Sequence, residues 1–287
     1  MFLINPYILQ ASGGVIPTAN LFAYSFRKVV SSATVSFRVR RSSDNAEQDI
    51  GFVGDDLDTT SLTTFVGANN GFVTKMYEQN GSGKDLAQTT ASSQFQIVNA
   101  GSVYTLNGKP TCLTANAKSL VSSVLFNFET TIGVSVFSVN KQYVQLGGTY
   151  NIDFLYSLGD GTTSGRLLES KVKGSASNPT DFQQTIFNTS STNISTIENT
   201  FTTGTKLQVN TINSTSHKYY ENNILIGTNI FTPVNMANQK IYVNDDSFGN
   251  TQTSARQYFS EILVYNSYQD SNVNTINTNI NNYYGIY

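Results

Sequence analysis

Apolar and polar side chains alternate with a period of two through much of this chain. In the stretch VSFRVR, residues 35–40, Val35, Phe37 and Val39 alternate with a serine and two arginines. This period places the apolar side chains on one face of a β-strand and the arginines on the other. From about Gln94 onward, stretches of similar texture follow one another between turn residues: FQIV, SVYTL, TCLTA, VSSVLFNF, IGVSVFSV, YNIDFLYSL, KLQVNTI, KYYENNILIG, QKIYVND and YFSEILVYN. Many short strands without helices between them predict an all-β protein, an antiparallel β-sandwich or jelly roll.

Two short helices are predicted besides the strands. In DDLDTTSLTTFVG, Asp58 can cap a first helical turn and Gly67 can end the helix. At the C-terminus, apolar side chains recur every three or four residues, at Val273, Ile276, Ile280 and Tyr283 or Tyr284. Asp270 or Ser271 is available there as an N-cap, and Gly285 as a C-cap. The apolar stripe of this second helix is expected to pack on the sandwich.

Changes in the pattern of apolar, polar and turn residues divide the chain into three parts. Residues 1–20, with a Gly13-Gly14 break, are interpreted as an N-terminal arm that serves assembly. Residues 21–92 are predicted to form a small N-terminal lobe, and residues 93–287 the jelly roll with its C-terminal helix. A sandwich of this length as one unit is ordinary for all-β proteins.

Composition and charge exclude several classes of function. The net charge of −2 gives no field that attracts a polyanion, so neither nucleic acid nor an anionic membrane is an expected partner. Cys112 is the single cysteine and cannot form an internal disulfide, and the single His217 cannot build a His-rich metal site. No cofactor is expected. The start of the chain lacks the basic region of a signal peptide, and no apolar run reaches the about 18 residues of a membrane span.

The stretch RVRRSSDNAEQDIGF, residues 38–52, concentrates charge in a chain that has little. Its charged residues are Arg38, Arg40, Arg41, Asp44, Glu47 and Asp49. Because three arginines balance three acids, we interpret the stretch as a neutralised clasp that holds the N-terminal lobe against the jelly roll. The expected contact is the turn MYEQNG, and Arg40→Ala is expected to lower thermal stability more than ligand affinity. A catalytic pair made by Glu47 and Asp49 is the alternative.

Other residues that carry chemistry have plainer interpretations. Asp55, Asp56 and Asp58 suit a turn and a helix cap better than a metal site. Asp245 and Asp246, in YVNDDSFGN, could offer oxygen ligands to calcium, but an ordinary hairpin loop is the preferred interpretation. His217 is placed in a polar turn and Cys112 in a core strand, and GSGKD at 81–85 lacks the spacing of a phosphate loop.

Three stretches near the C-terminus and in the middle resemble one family. SEILVYNSYQDSNVNTINTNINNYYGI is similar to the closing strand and helix of concanavalin A-like lectin and glucanase modules of the laminin-G jelly-roll type. KYYENNILIG resembles a strand-turn-strand of that family, and LNGKPTCLTANAKSL its opening strand. The resemblance implies a concanavalin A-like jelly roll. Glucanases of this class carry a Glu-x-Asp-x-Glu run on one strand, which this sequence lacks, so the chain is expected not to be an enzyme.

The N-terminal part resembles a second group. RVRRSSDN, followed by GFVTKMYEQNGSGKDLAQ, is similar to arabinofuranosidase B-like modules and to the front of jelly-roll proteins from bacteriophage particles. This resemblance implies Tyr77, Glu78 and Gln79 as ligand-binding residues. Met76 stands where the pattern has Trp and Glu78 where it has Asp, so a large sugar-stacking aromatic is missing.

These resemblances imply a function that involves no catalysis. The expected protein is a non-enzymatic bacteriophage virion component, such as a head fibre, capsid decoration or tail part, that attaches to a cell-surface glycan. Its expected partners are other virion proteins and copies of itself, and its expected location is the virion, after synthesis in a host cytoplasm. Two alternatives stay open: a glycoside hydrolase of arabinofuranosidase-like type, and a purely structural subunit that binds no sugar.

Overall fold

A computed structural model describes residues 16–114, 118–129, 132–142, 152–162, 165–175, 178–187, 193–231, 236–245 and 257–287. The helices are α1 (Thr59–Val66) and α2 (Val273–Tyr284). The strands are β1 (Leu21–Ser25), β2 (Val35–Arg41), β3 (Glu47–Val53), β4 (Asp56–Leu57), β5 (Gly71–Met76), β6 (Leu86–Ala87), β7 (Phe95–Asn99), β8 (Ser102–Val103), β9 (Thr105–Leu106), β10 (Lys109–Pro110), β11 (Cys112–Leu113), β12 (Leu120–Ser122), β13 (Phe126–Phe128), β14 (Val134–Gln142), β15 (Ile152–Gly159), β16 (Arg166–Ser175), β17 (Asn178–Phe187), β18 (Asn193–Thr200), β19 (Lys206–Ile212), β20 (Ser216–Glu221), β21 (Ile224–Ile230), β22 (Met236–Val243) and β23 (Gln257–Tyr265).

The strands pair antiparallel in two layers, which confirms the predicted all-β sandwich. One layer runs β21–β20–β19–β14–β23, and α2 packs on its outer face, so we call it the helix-covered layer. The other, which we call the long layer, runs β18–β17–β16–β15–β22–β12–β6–β5–β2–β3. β5 also pairs with β7, which reaches β23 through β11, so the layers are joined at one edge.

Side chains of the two layers meet in a core that is partly polar. Val136 and Val264 of the helix-covered layer belong to one apolar cluster with Leu158 and Ile241 of the long layer. Asn210 of β19 reaches across, and its Nδ2 donates to the Tyr156 hydroxyl at 2.7 Å and to Gln184 Oε1 at 2.8 Å. Buried amides need such partners, because an unmade hydrogen bond in a core costs about 1–3 kcal/mol.

The C-terminal helix forms where the spacing of apolar residues predicts it. Val273, Ile276, Ile280 and Tyr284 of α2 are buried against a cluster that includes Leu207, Val209, Leu263 and Tyr265. Gly285 ends the helix in the left-handed region at φ 57°. The predicted N-cap is wrong. Asn272 occupies that position, because Asp270 lies in a preceding 3-10 turn and accepts a hydrogen bond from Lys218 Nζ at 2.6 Å.

The first helix is confirmed with both of its predicted ends. The Asp58 carboxylate accepts a hydrogen bond from the Ser61 backbone N–H at 2.8 Å. Gly67 ends α1 at φ 59°, a conformation that glycine adopts without the cost of a Cβ. Leu62 and Val66 are the buried residues of this short amphipathic helix.

The N-terminal part of the chain contributes strands to both layers. β2, β3 and β5 end the long layer, whereas β1 pairs along β23 of the helix-covered layer from Leu21–Tyr265 to Ser25–Glu261. Residues 1–15 of the predicted arm lie outside the described residues. Ile16 is buried beside the α2 cluster, and the carbonyl of Pro17 accepts a hydrogen bond from Tyr265 Oη at 2.9 Å. Within the described ranges, no helix is long and apolar enough to cross a membrane.

Candidate functional site

A single row of directly opposed residues crosses ten strands of the long layer. From β18 to β3 it consists of Thr196, Thr185, Glu169, Ser157, Tyr242, Val121, Ala87, Lys75, Arg38 and Asp49. Directly opposed residues share one face of a sheet. Their strand neighbours Leu168, Tyr156 and Val243 belong to the core, so the row lies on the outer face of the layer, and we call it the outer row.

Glu169 is the charged centre of the buried part of the outer row. Its side chain is 1% exposed, and its two oxygens accept hydrogen bonds from Lys171 Nζ at 3.0 Å and Arg166 Nη1 at 3.2 Å. A buried carboxylate requires such compensation, since an isolated charge in a protein interior is costly. Two aromatic rings complete the surroundings. The Arg166 guanidinium lies 4.0 Å from the Phe187 ring centroid, and Lys171 Nζ lies 5.9 Å from that of Phe154.

Ser157 lies opposite Glu169 and binds the backbone of a second acidic residue, Asp245. It stands opposite Glu169 in the β15–β16 ladder, and its hydroxyl donates to the backbone carbonyl of Asp245 at 3.0 Å. The backbone of Asp245 therefore adjoins the serine that lies opposite Glu169. Asp246, the other half of the calcium prediction, lies outside the described residues, so that prediction stays untested. The described part of the chain holds no cluster of three His, Cys, Asp or Glu side chains fit for a metal ion.

The exposed end of the outer row contains the predicted clasp. Arg38 Nε and Nη2 donate to the two oxygens of Asp49 at 2.6 and 3.0 Å, and both side chains are 39% exposed. Tyr77 Oη donates to Asp49 Oδ1 at 2.8 Å, so the pair contacts the MYEQNG turn. The hydrogen bond from Arg38 keeps the pKa of Asp49 below its ordinary value despite partial burial. Burial, followed by the bond to Asp49, raises the pKa of Tyr77 to about 12.

The other charges of the predicted clasp go to separate partners. Arg41 pairs with Asp44 at 2.6 Å. Arg40 donates instead to the neutral side chains of Gln94 and Asn45, both at 2.8 Å. The cluster is thus two ion pairs and an arginine bound to amides, with Glu47 opposite Arg40 in the β2–β3 ladder, and its stabilising role stays a prediction.

Glu78 has both carboxylate oxygens occupied by backbone and hydroxyl groups. Oε1 accepts from the Asn80 N–H at 2.8 Å and the Ala23 N–H at 3.1 Å. Oε2 accepts from the Ser82 N–H at 2.9 Å and its hydroxyl at 2.7 Å. The carboxylate therefore shapes the turn and ties it to β1.

Gln79 ties the segment after β1 in the same way. Its Oε1 accepts from the Val29 N–H at 2.7 Å, and its Nε2 donates to the carbonyls of Arg27 and Ser25 at 2.8 and 3.1 Å. Of the three predicted ligand-binding residues, Tyr77 is the partly exposed one. Ligand binding by the three stays a prediction.

A buried ion pair that sequence reasoning missed lies under α2. Arg27 Nε and Nη2 donate to the two oxygens of Glu261 at 2.7 and 3.0 Å, and the Ser25 hydroxyl donates to the same carboxylate at 2.7 Å. Glu261 is completely buried. The available signal was the glutamate in FSEILVY, a mainly apolar strand with no other charged residue, since a charge in such a strand requires a partner.

His217 lies in β20, so its placement in a polar turn is wrong. The imidazole is fully buried between the layers, with Nδ1 2.8 Å from Ser195 Oγ and Nε2 2.8 Å from Asn210 Oδ1. Burial lowers its pKa to about 3, so the ring is neutral near pH 7. The Ser-His-Asn arrangement is that of a nucleophile with its base, but a catalytic base requires access to substrate and a pKa near the working pH. We interpret it as a structural hydrogen-bond chain.

Cys112 lies in a core strand, as predicted. It is completely buried in β11, and its Sγ donates to the Phe259 carbonyl at 3.3 Å. Burial raises the pKa of the thiol far above its usual range, which makes it a poor nucleophile.

Solved structures share this architecture, although no family model matches the chain and no curated protein does. An arabinofuranosidase complexed with arabinofuranosyl-α-1,2-xylobiose has a TM-score of 0.68 at 13% identity over 92% of this chain. A GH54 α-L-arabinofuranosidase soaked with a cyclic sulfate inhibitor has a TM-score of 0.66 at the same identity and coverage. A mutant of HCR/D has a TM-score of 0.50 at 10% identity over 88% of this chain and 51% of its own. The chain spans 62% of the length of the two arabinofuranosidases, and at these identities the likeness shows the fold alone.

Proposed function

We propose that this protein binds a carbohydrate on the outer face of the long layer, at Glu169. The observation that carries the proposal is a buried carboxylate with two cations, at 3.0 and 3.2 Å, beside the rings of Phe154 and Phe187. Sugar hydroxyls donate to carboxylates and accept from cations, and the apolar faces of sugar rings pack on aromatic side chains. A few convergent polar groups with aromatic neighbours are typical of small-molecule sites.

The fold supports a choice of first ligand. The arabinofuranosidase that shares this architecture was solved with arabinofuranosyl-α-1,2-xylobiose. Arabinose-substituted xylo-oligosaccharides are therefore the first probes. Binding without turnover is the preferred form of the proposal, and it agrees with the lectin-like role expected from sequence. Attachment of a virus particle to a host glycan is its most specific form, and a proteomic inventory of native particles that lacks this chain would contradict it.

Glycoside hydrolysis is the second candidate, because Ser157 lies opposite Glu169 and binds the main-chain carbonyl of Asp245, a second acidic residue. Retaining hydrolysis uses two carboxyl groups about 5–5.5 Å apart, and inverting hydrolysis a pair about 6.5–9.5 Å apart. The pair of Glu47 and Asp49 and the single Glu78 are the other carboxylates to test. Asp49 is held by Arg38 and Glu78 by its own turn, and Glu169 is likewise held by Arg166 and Lys171.

Calorimetric titration with arabinose-substituted xylo-oligosaccharides tests the proposal. Glu169→Gln keeps the size of the side chain, and we expect it to weaken binding at least tenfold. Glu129→Gln, at an exposed position, is the matched control and should bind as the wild type does. Release of reducing sugar by the wild type, lost in Glu169→Gln, would select hydrolysis instead. Equal affinity in all three proteins, or no binding, would overturn the site.

A further inference from the structure

A separate cleft of about 570 Å³ opens between α1 and the β9–β10 hairpin. Its volume lies within the range of small-molecule sites, about 300–1,000 Å³. The lining combines hydroxyl groups with apolar side chains and one ion pair: Asp56, Leu57, Thr59, Thr60, Thr63, Val103, Thr105, Gly108, Lys109 and Pro110. The outer row contributes none of these residues.

Three of the lining hydroxyl groups are available to a ligand. The Thr63 hydroxyl donates to the Thr59 carbonyl at 2.8 Å and is used within the helix. Those of Thr59, Thr60 and Thr105, in contrast, bind no side chain or backbone group of the described residues. A hydroxyl both donates and accepts, which suits a ligand that itself carries hydroxyl groups.

The charges around the cleft disfavour an ionic ligand. Lys109 Nζ donates to Asp56 Oδ1 at 3.0 Å and lies 4.1 Å from the centroid of the Tyr283 ring, so its charge is already compensated. The first turn of α1 could attract an anion, but the Asp58 carboxylate already accepts from the Ser61 N–H there at 2.8 Å. An anion would meet Asp56 and Asp58, and a cation would have to displace Lys109.

We propose that this cleft binds a neutral polyhydroxylated molecule, a pentose- or hexose-sized sugar unit. The hydroxyl groups of Thr59, Thr60 and Thr105 bind its hydroxyls, and Leu57, Val103 and Pro110 contact its apolar face. The proposal does not depend on the Glu169 site, because the two sites share no residue.

Amide chemical-shift mapping of the full chain tests the proposal with chosen probes. L-Arabinose and D-xylose are the neutral probes, with inorganic phosphate and ethanolamine as charged ones. Thr105→Trp fills the cleft from an exposed strand position, and Thr64→Trp, on the exposed side of α1, is the matched control. Thermal melting of both variants checks that they are folded.

We expect saturable shifts at the amides of Thr60, Thr105 and Gly108 with a neutral probe. Affinity of the cleft should fall at least tenfold in Thr105→Trp and stay unchanged in Thr64→Trp. Shifts confined to β15 and β16 would overturn this cleft and leave the Glu169 site standing. Shifts at the cleft with phosphate or ethanolamine but not with the sugars would overturn the neutral ligand class, and no shifts at the cleft would overturn the site.

Discussion

Two nearly fully buried glutamates lie on the outer faces of the two layers, and their surroundings differ. Glu261, on the helix-covered layer, accepts two bonds from the single guanidinium of Arg27 and one from Ser25. Glu169, on the long layer, accepts one bond from each of two different cations. The first is covered by α2, with Tyr284 Oη 3.5 Å from the carboxylate. The second stands in a row of mainly polar side chains that crosses ten strands.

Burial and ion pairing alone therefore do not mark a binding site. The Arg27–Glu261 pair joins the segment after β1 to β23, near the two ends of the described chain. This is the structural task that the sequence predicted for RVRRSSDN. The Arg38–Asp49 pair has the same two-bond geometry but is 39% exposed, so water screens it. We therefore expect the two pairs, despite their similar geometry, to contribute different amounts to the free energy of unfolding.

Loss of Arg27 should have the largest effect on stability. Arg27→Ala leaves the Glu261 carboxylate buried without its cation, and breaking a buried pair in this way costs about 3–5 kcal/mol. Urea denaturation measures the free energy of unfolding directly. A loss below about 1 kcal/mol, which is typical of exposed ion pairs, would contradict the predicted difference between the Arg27–Glu261 and Arg38–Asp49 pairs.

Truncation of an apolar side chain of α2 should cause the second-largest loss of stability. Ile280 of α2 is completely buried against the helix-covered layer, and Ile→Ala in a core costs about 2–5 kcal/mol. Ile280→Ala should also raise hydrogen exchange of amides along β23, since α2 covers that strand. Thr278→Ala, on the exposed side of the helix, is the control, and equal stability of the two variants would contradict the covering role of α2.

The buried imidazole should make stability depend on pH. The pKa of His217 is about 3 in the folded protein and about 6.5 in an unfolded chain. Between these values the unfolded state binds the proton and the folded state does not, so stability rises with pH. From about pH 6.5 down to about 4.5 we expect a loss of roughly 2 kcal/mol. His217→Gln should flatten this slope, and an unchanged slope would contradict a neutral buried ring.

Removal of the half-buried arginines Arg38 and Arg40 should have the smallest effect. Arg38→Ala breaks a pair that water screens, and exposed pairs contribute about 0–1 kcal/mol. Arg40→Ala removes bonds to Gln94 and Asn45 and the stacking on Phe72 at 4.9 Å. We expect thermal melting to shift by a few degrees in either variant. A loss of stability as large as that of Arg27→Ala would support the clasp that the sequence predicts for RVRRSSDN.

Local patterns in the sequence predicted local elements well. The cap at Asp58, the stop at Gly67 and the stripe of α2 depend on neighbouring residues, so a single chain segment specifies them. Asp270 does not cap the helix; its carboxylate is bound by Lys218 and Tyr220, some fifty residues away in the sequence. The three strands β16, β17 and β18 were not identified individually, since their outer face is charged and their inner face partly polar.

The candidate site could not be predicted from sequence because it depends on strand register. Glu169 and Arg38 share a face only through the five strands β15, β22, β12, β6 and β5 between β16 and β2, each in one specific register. A shift of one residue in any of these pairings would move the side chains to the opposite face. Arg27 and Glu261 are likewise brought together by the pairing of the first described strand with the last.

The most direct test of the central claim compares the two glutamates in one experiment. Glu169→Gln and Glu261→Gln are titrated with arabinose-substituted xylo-oligosaccharides at a temperature where both are folded, and their free energies of unfolding are measured in parallel. We predict at least tenfold weaker binding for Glu169→Gln, and wild-type affinity with the larger loss of stability for Glu261→Gln. Wild-type affinity in Glu169→Gln, or weakened binding in Glu261→Gln alone, would contradict the assignment of the outer row as the binding face.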